Sequence, residues 1–229
     1  MNKETNIHKC SQEEWTLAQR DEFLCWGGYN VGDGDDYSKY WMENTNDYQD
    51  IKLKHFSNVM EVGCGPFGEN LGNIIKLISY DNLYVLDPLL KEYCKNQKSG
   101  IYKKCIALNI KGISTSLEKV FDSCHDLINK IDLIICNNVL DHCYDADLCF
   151  ENMDKLLNNN GYIIFGNDLK DPIDIEIARD SKHPIMLQEN YLSKKFEKYF
   201  QIFKKVIPRN ECRNPSACCG CYFSIYKKQ

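Results

Sequence analysis

Glu61-Val-Gly-Cys-Gly-Pro-Phe-Gly-Glu-Asn70 is the stretch that decides the fold. The residues running into it, Val59 to Val62, form the short apolar run of a buried strand. Gly63, Gly65 and Gly68 then let the backbone turn sharply off that strand. They bring it close to a ligand held at the N-terminus of the next helix, expected from Gly68 to Ser79. Alone, Gly-x-Gly-x-x-Gly is ambiguous. Asp87 narrows it, because it lies 19 residues after Gly68 at the end of the next apolar run, Leu83 to Leu86. A carboxylate there can accept hydrogen bonds from both hydroxyls of a ribose. The two features together point to an adenosine-type ligand without choosing which.

Outward from this loop, strands and helices alternate. Pro88 opens a helix reaching about Lys98, and proline suits a first helical turn. A third strand is expected within Ile110 to Ser116, with Cys105 to Ile110 competing for it. Ile131 to Cys136 reads as a fourth strand, Ala146 to Leu157 as a helix, and Tyr162 to Phe165 as a fifth strand. A helix over Tyr191 to Phe200 and strands over Gln201 to Val206 and Tyr222 to Tyr226 close the chain. Short apolar runs between helices are what a parallel sheet covered on both faces produces. The expected fold class is α/β: a Rossmann-like, doubly wound, mostly parallel seven-stranded sheet with an antiparallel last strand. Its ligand belongs at the C-terminal ends of the strands.

The 229 residues suit one domain of this kind. Residues 1–50 read as a helical and loop cap, and residues 51–229 as the α/β domain. Within the cap, Glu13 to Leu24 carries Trp15, Leu17, Phe23 and Leu24 near helical spacing, and Trp26 to Asp36 is a Gly- and Asp-rich loop. The net charge of −5 disfavours nucleic acid as a partner, since phosphate backbones call for a basic face. No apolar run approaches the roughly 20 residues that cross a bilayer. Met1 to Arg20 lacks the apolar core of a signal peptide, so a cytoplasmic location is expected.

The residues around the loop resemble the class I S-adenosylmethionine (SAM)-dependent methyltransferases. Glu61-Val-Gly-Cys-Gly-Pro66 is similar to their first motif, which implies cofactor contacts for Glu61, Gly63, Cys64, Gly65, Pro66 and Gly68. Asp87-Pro88 matches the acidic position after their second strand. Ser116-Leu117-Glu118 resembles the stretch beside the adenine, which assigns Leu117 and Glu118 there. The run from Ile131 to Asp145 resembles the fourth-strand motif, which puts Asn137, Asn138 and Val139 along the methionine part of SAM. Asn158-Asn-Asn-Gly161 stands where the family usually has a Pro-Gly-Gly type turn, and still makes a workable turn. The resemblance spans about Asn58 to Gly166. It implies SAM as cofactor. An NAD(P)-dependent oxidoreductase remains the alternative for the same loop, though such an enzyme is not expected to continue with Asn-Asn-Val-Leu-Asp-His after its fourth strand. A non-catalytic SAM-binding subunit is the third reading. Ala18 to Trp26 looks like the N-terminal segment of small-molecule methyltransferases, which either closes over the cofactor or only packs.

A hydroxyl acceptor needs a base to take its proton as the methyl bond forms. Candidates are Asp141 and His142 past the fourth strand, and Asp168 and His183 in the polar segment from Asn167 to Asn190. His183 is favoured, with His142 next. This acidic, His-containing segment, which also holds Asp171, Asp174 and Asp180, suits a hydroxylated small molecule better than a flat aromatic. The likeness of the N-terminal segment and of His183-Pro184 to sugar- and glycan-modifying relatives points the same way. O-methylation of a sugar, a glycan or a similar polar metabolite is expected, with an amine or a protein side chain open.

The 13 cysteines, an odd number, read as buried small hydrophobes and free thiols rather than a disulfide framework. Cys212, Cys218, Cys219 and Cys221 offer four thiolates for a zinc site. The adjacency of Cys218 and Cys219 and the single spacer in Cys219-Gly-Cys221 favour a plain loop into the last strand, and no metal is expected.

Overall fold

The computed structural model describes residues 7–26, 37–171, 181–213, 215–216 and 218–229. Seven strands make one sheet in the order β3-β2-β1-β4-β5-β7-β6. They are β1 (His55–Val62), β2 (Ser79–Leu86), β3 (Lys111–Ile113), β4 (Ile131–Asn137), β5 (Leu157–Leu169), β6 (Phe200–Pro208) and β7 (Gly220–Lys227). The pairs joining β3, β2, β1, β4 and β5 are parallel, whereas β7 runs antiparallel to both β5 and β6. The expected sheet and its antiparallel last strand are therefore present.

β4 shows why the centre is parallel. Ile131, Leu133, Ile134, Ile135 and Cys136 are fully buried, so both faces of the strand are covered. Successive side chains point to opposite faces. Ile134 and Cys136 join Met60, Val62 and Phe165 in one core with helix α6 (Ala146–Leu156). Leu133 and Ile135 join Val59, Val85 and Leu71 in the other, with helix α3 (Glu69–Ile74).

Several bounds differ from expectation. The helix after the glycine loop ends at Ile74, because Ser79 already pairs with His55 in β2. The outer half of β2 and of β1 is polar and partly exposed, which hid it from an apolar-run criterion. β5 runs on through Leu169, since Asp168 and Leu169 pair with Cys221 and Gly220 of β7. Cys105 to Ile110, the competitor for the third strand, is instead the end of helix α5 (Gly100–Ala107) and the turn after it. Ser99 caps α5 by accepting a hydrogen bond from the Tyr102 amide at 3.2 Å. Helix α4 spans Leu90–Lys95 and α7 spans Glu189–Phe196. Residues 27–36 of the glycine- and aspartate-rich loop, and Asp174 and Asp180 of the polar segment, lie outside the described residues.

The N-terminal segment is built into the domain. Helix α1 spans Gln12–Trp26 and α2 spans Tyr37–Asn44. Trp41 of α2 is 2% exposed and packs on Phe223, ring centroids 5.0 Å apart. Gly166 of β5 admits it: a Cβ there would lie 2.7 Å from Trp41 Cζ3. Truncating a tryptophan buried this way typically costs about 3–5 kcal/mol. Tyr48 and Ile51, either side of the expected cap boundary, are both fully buried in the same core.

Candidate active site

The sheet order reverses between β1 and β4, and a doubly wound sheet opens its ligand crevice at that reversal. The loop leaving β1 is bent there by left-handed backbone. Gly63 has φ +66, and a Cβ on it would meet Val139 Cγ1 at 2.7 Å, so the loop can lie against the end of β4 only as glycine. Gly65 has φ +55 and open space where its Cβ would be, and it faces the cavity.

Asp87, at the end of β2, fixes this loop. Its Oδ2 accepts the Gly65 amide at 2.9 Å and its Oδ1 accepts the Leu89 amide at 2.8 Å. Each carboxylate oxygen keeps a lone pair for a further donor. Burial pushes the Asp87 carboxyl up to about 6, against those two amide bonds.

One cavity of about 390 Å³, within the range of small-molecule sites, joins these parts. Gly63, Cys64, Gly65 and Pro66 line it from the loop, Asp87 and Pro88 from β2, and Leu117 and Glu118 from the turn after β3. Asn137, Asn138 and Val139 line it from the end of β4. Asn138 is held at φ 58, unusual for a residue with a side chain, and its Oδ1 is buried with no hydrogen-bond partner. Glu118 Oε1 accepts the Tyr144 amide at 2.7 Å, while its Oε2 is buried without a partner. Buried acceptors facing a cavity call for donors from a ligand. An adenosine derivative with ribose hydroxyls and an exocyclic amine supplies such donors, so these residues fit that group.

Glu61 and Gly68 do not line the cavity. Glu61 sits beneath the loop, 1% exposed, and accepts from Asn70 Nδ2 at 3.1 Å and the Leu71 amide at 3.3 Å. Burial pushes its carboxyl up to about 8, despite those donors and the nearby Lys104. The folded state thus holds this proton more tightly than the unfolded chain. Glu61 opposes folding increasingly as pH climbs from its ordinary 4.5 through about 8. Glu61→Gln is expected to leave the unfolding midpoint nearly unchanged at pH 5 and to raise it at pH 9. Equal destabilisation at both values would show that the loop needs the ionised carboxylate.

The remaining cavity wall comes from α1, α2, the turn after β4 and the polar segment. Trp15, Gln19, Glu22 and Trp26 of α1 line it, so the N-terminal helix forms part of the site. Trp15 Nε1 and Gln19 Nε2 donate to the His142 carbonyl at 3.1 and 3.2 Å and anchor α1 there. The sequence does not mark these four residues or Trp41 as wall residues. The likeness of Ala18 to Trp26 to a family segment points only to Gln19, Glu22 and Trp26, and nothing marks Trp15 or Trp41 as cavity wall.

Three of the four candidate bases line the cavity: His142, Asp168 and His183. Asp141 lies fully buried beside them. The His142 and His183 rings sit 4.3 Å apart, tilted by 48°. His142 Nδ1 is 3.0 Å from the Lys182 carbonyl, so that nitrogen carries the proton. Burial first, and then neighbouring His183, push His142 below its usual range and keep it neutral. His183 Nε2 is 3.9 Å from Asp141 Oδ2. Burial pushes the Asp141 carboxyl up, yet His142, His183, Lys170 and Asn167 together outweigh it and hold it below the usual range. Asp168 is pushed up by burial, while the Cys221 thiol donates to its Oδ1 at 3.0 Å.

Residues 60–165 match the family described as methyltransferase domain. No curated protein sequence matches the chain. Solved structures do. The N-methyltransferase NodS from Bradyrhizobium japonicum, in complex with S-adenosylhomocysteine, is 16% identical with a TM-score of 0.61, covering 94% of this chain and 98% of that one. The 1,6-didemethyltoxoflavin-N1-methyltransferase of Burkholderia thailandensis is 10% identical with a TM-score of 0.59, covering 96% and 91%. A SAM-dependent methyltransferase from Aquifex aeolicus is 13% identical with a TM-score of 0.54, covering 86% and 95%. Loop, sheet and family match together define a nucleoside-cofactor domain of the methyltransferase kind. Residues 60–165 match a methyltransferase domain, and the glycine loop, Asp87 and the cavity they share fit SAM as its cofactor. The NAD(P) alternative is set aside. Among the described residues, no helix is long and apolar enough to cross a membrane.

Proposed function

We propose that this protein transfers the methyl group of SAM to a hydroxyl of a polar small molecule, a sugar or a similar metabolite, with His183 as general base. One observation carries the proposal: a single cavity is lined both by the cofactor loop and by a pair of imidazoles backed by the buried carboxylate of Asp141. Bound SAM supplies a methyl made electrophilic by its sulfonium. The protein then has to bind, align and exclude water. Asp87 accepts from the ribose hydroxyls, Glu118 accepts from the adenine amine beside Leu117, and Asn137, Asn138 and Val139 hold the methionine part. His183 takes the acceptor's proton, and Asp141 steadies the imidazolium that results.

An amine is the second reading. Glu22 and Asp168 line the same cavity as Trp15, Trp26 and Trp41, and carboxylates with aromatic faces suit a cation.

Thermal unfolding with and without S-adenosylhomocysteine tests the cofactor site. At 100 times its dissociation constant a ligand stabilises by about 2.7 kcal/mol, which raises the midpoint of a domain this size by roughly 5–10 °C. NAD at the same concentration is expected to give no shift. Formation of S-adenosylhomocysteine is then followed against panels of sugars and of amines. Turnover with amines alone would move the acceptor from oxygen to nitrogen. Binding with no turnover on either panel would leave a SAM-binding subunit.

A further inference from the structure

We propose that Cys212, Cys218 and Cys221 bind one Zn²⁺ ion through three thiolates, with the carboxylate of Asp168 as the nearest oxygen for the fourth position. The three thiols lie outside the methyltransferase cavity, which the site touches through Asp168, where β5, β6 and β7 end together. Cys221 pairs with Asp168 of β5 on one side and with Ile207 of β6 on the other. The chain turns back after β6 through Cys212 and returns through Cys218 into β7. Two segments therefore deliver three thiols to one point, and β5 brings Asp168 beside them.

Their geometry suits a tetrahedral ion. Cys212 Sγ is 3.4 Å from Cys221 Sγ, Cys218 Sγ is 3.9 Å from it, and all three sulfurs lie within 4.8 Å of one another. Zinc–sulfur bonds of about 2.3 Å at tetrahedral angles separate sulfurs by roughly 3.8 Å. Asp168 Oδ1 is 3.0 Å from Cys221 Sγ. Cys218 and Cys221 also have the two-residue spacer of a zinc knuckle. The adjacent Cys218 and Cys219 obscure that spacer in the sequence, whereas in the structure Cys219 is partly exposed and outside the cluster.

The surroundings are those of a held metal. Cys212, Cys218 and Cys221 are 7%, 1% and 1% exposed and share an apolar shell with Trp41, Ile207 and Phe223. Tyr40 donates its hydroxyl to Cys221 Sγ at 3.5 Å, the kind of outer hydrogen bond that orients a ligating sulfur. Binding breaks three S–H bonds, forms three Zn–S bonds and releases three protons, with no change of oxidation state. Three thiolates and a carboxylate around a dication leave a net charge of −2, and the buried Lys170 next to Asp168 opposes it.

The test is zinc content by elemental analysis of protein purified in zinc-containing medium, without a histidine tag, together with native mass spectrometry. About one zinc per chain is expected for the wild type and for Cys219→Ser. Cys212→Ser and Cys221→Ser are expected to lose it. Should those variants fail to fold, Co²⁺ added to chelator-treated wild type decides the matter: thiolate-to-cobalt charge-transfer absorption is expected, and zinc should abolish it. Asp168→Asn is expected to weaken zinc binding by about 10-fold or more. Wild-type protein without zinc and without the cobalt bands overturns the proposal. So does a disulfide joining Cys212 and Cys221, seen as a mass lower by two hydrogens in the linked peptides that carry them.

Discussion

Asp87→Ala is expected to weaken S-adenosylhomocysteine binding by about 100-fold, read by titration calorimetry. Two hydrogen bonds from ribose hydroxyls to one carboxylate, at about 1.5–3 kcal/mol each, set the upper end of the loss. Water entering the vacated space recovers part of it, and about 2.8 kcal/mol corresponds to 100-fold. The same carboxylate holds the Gly65 and Leu89 amides, so Asp87→Asn is the companion variant. It keeps the shape and one acceptor, and it should lose less. Affinity in the wild type should also fall as pH drops below about 6, where burial leaves the unliganded carboxyl protonated. A loss under threefold for Asp87→Ala would remove the ribose contact from this residue.

Asp87 was legible in the sequence because its job is local. A glycine turn, an apolar run and an acid at its end follow one another within about 30 residues of a βαβ unit, and the structure returns them as one corner of the cavity. The same holds for Asn137 to Val139 at the end of β4. Glu61 shows the limit of such reasoning. It stands at the acidic position of the motif, yet its side chain points under the loop to Asn70 and Leu71 rather than into the cavity. Spacing assigns a residue to a motif but does not say which way it faces.

What the sequence hid was long-range. Trp41 reaches the cavity only because Gly166, 125 positions later, has no side chain in its way. The polar ends of β1 and β2 and the extension of β5 to Leu169 arise from pairing with neighbours, which no local pattern encodes. Cys212 and Cys221 meet across the turn after β6, and Asp168 joins them from β5. Their convergence is a property of the sheet order, not of the cysteine spacing that argued against a metal.

His183→Ala is expected to lower turnover by about 10²–10⁴-fold while changing S-adenosylhomocysteine affinity little, because removing a positioned base costs this much in the chemical step. The expectation rests on two neighbours of His183. His142 gives its Nδ1 proton to the Lys182 carbonyl and is kept neutral by burial, so a second charge next to His183 is avoided. Asp141, whose carboxyl its neighbours hold below the usual range, lies 3.9 Å from His183 Nε2 and can steady the imidazolium that forms. His142→Ala should therefore lower turnover less than His183→Ala, since it removes a neighbour rather than the base. Asp141→Asn should fall between them, because it leaves the imidazole in place without its counter-charge. The acceptor used is whichever sugar or amine gives turnover with the wild type, and the rates are taken at saturating SAM. Added imidazole should restore part of the activity of His183→Ala and none of that of Asp141→Asn. If His183→Ala keeps full turnover and His142→Ala does not, the base is His142. The α1 anchor on the His142 carbonyl would then tie the N-terminal helix directly to the catalytic group.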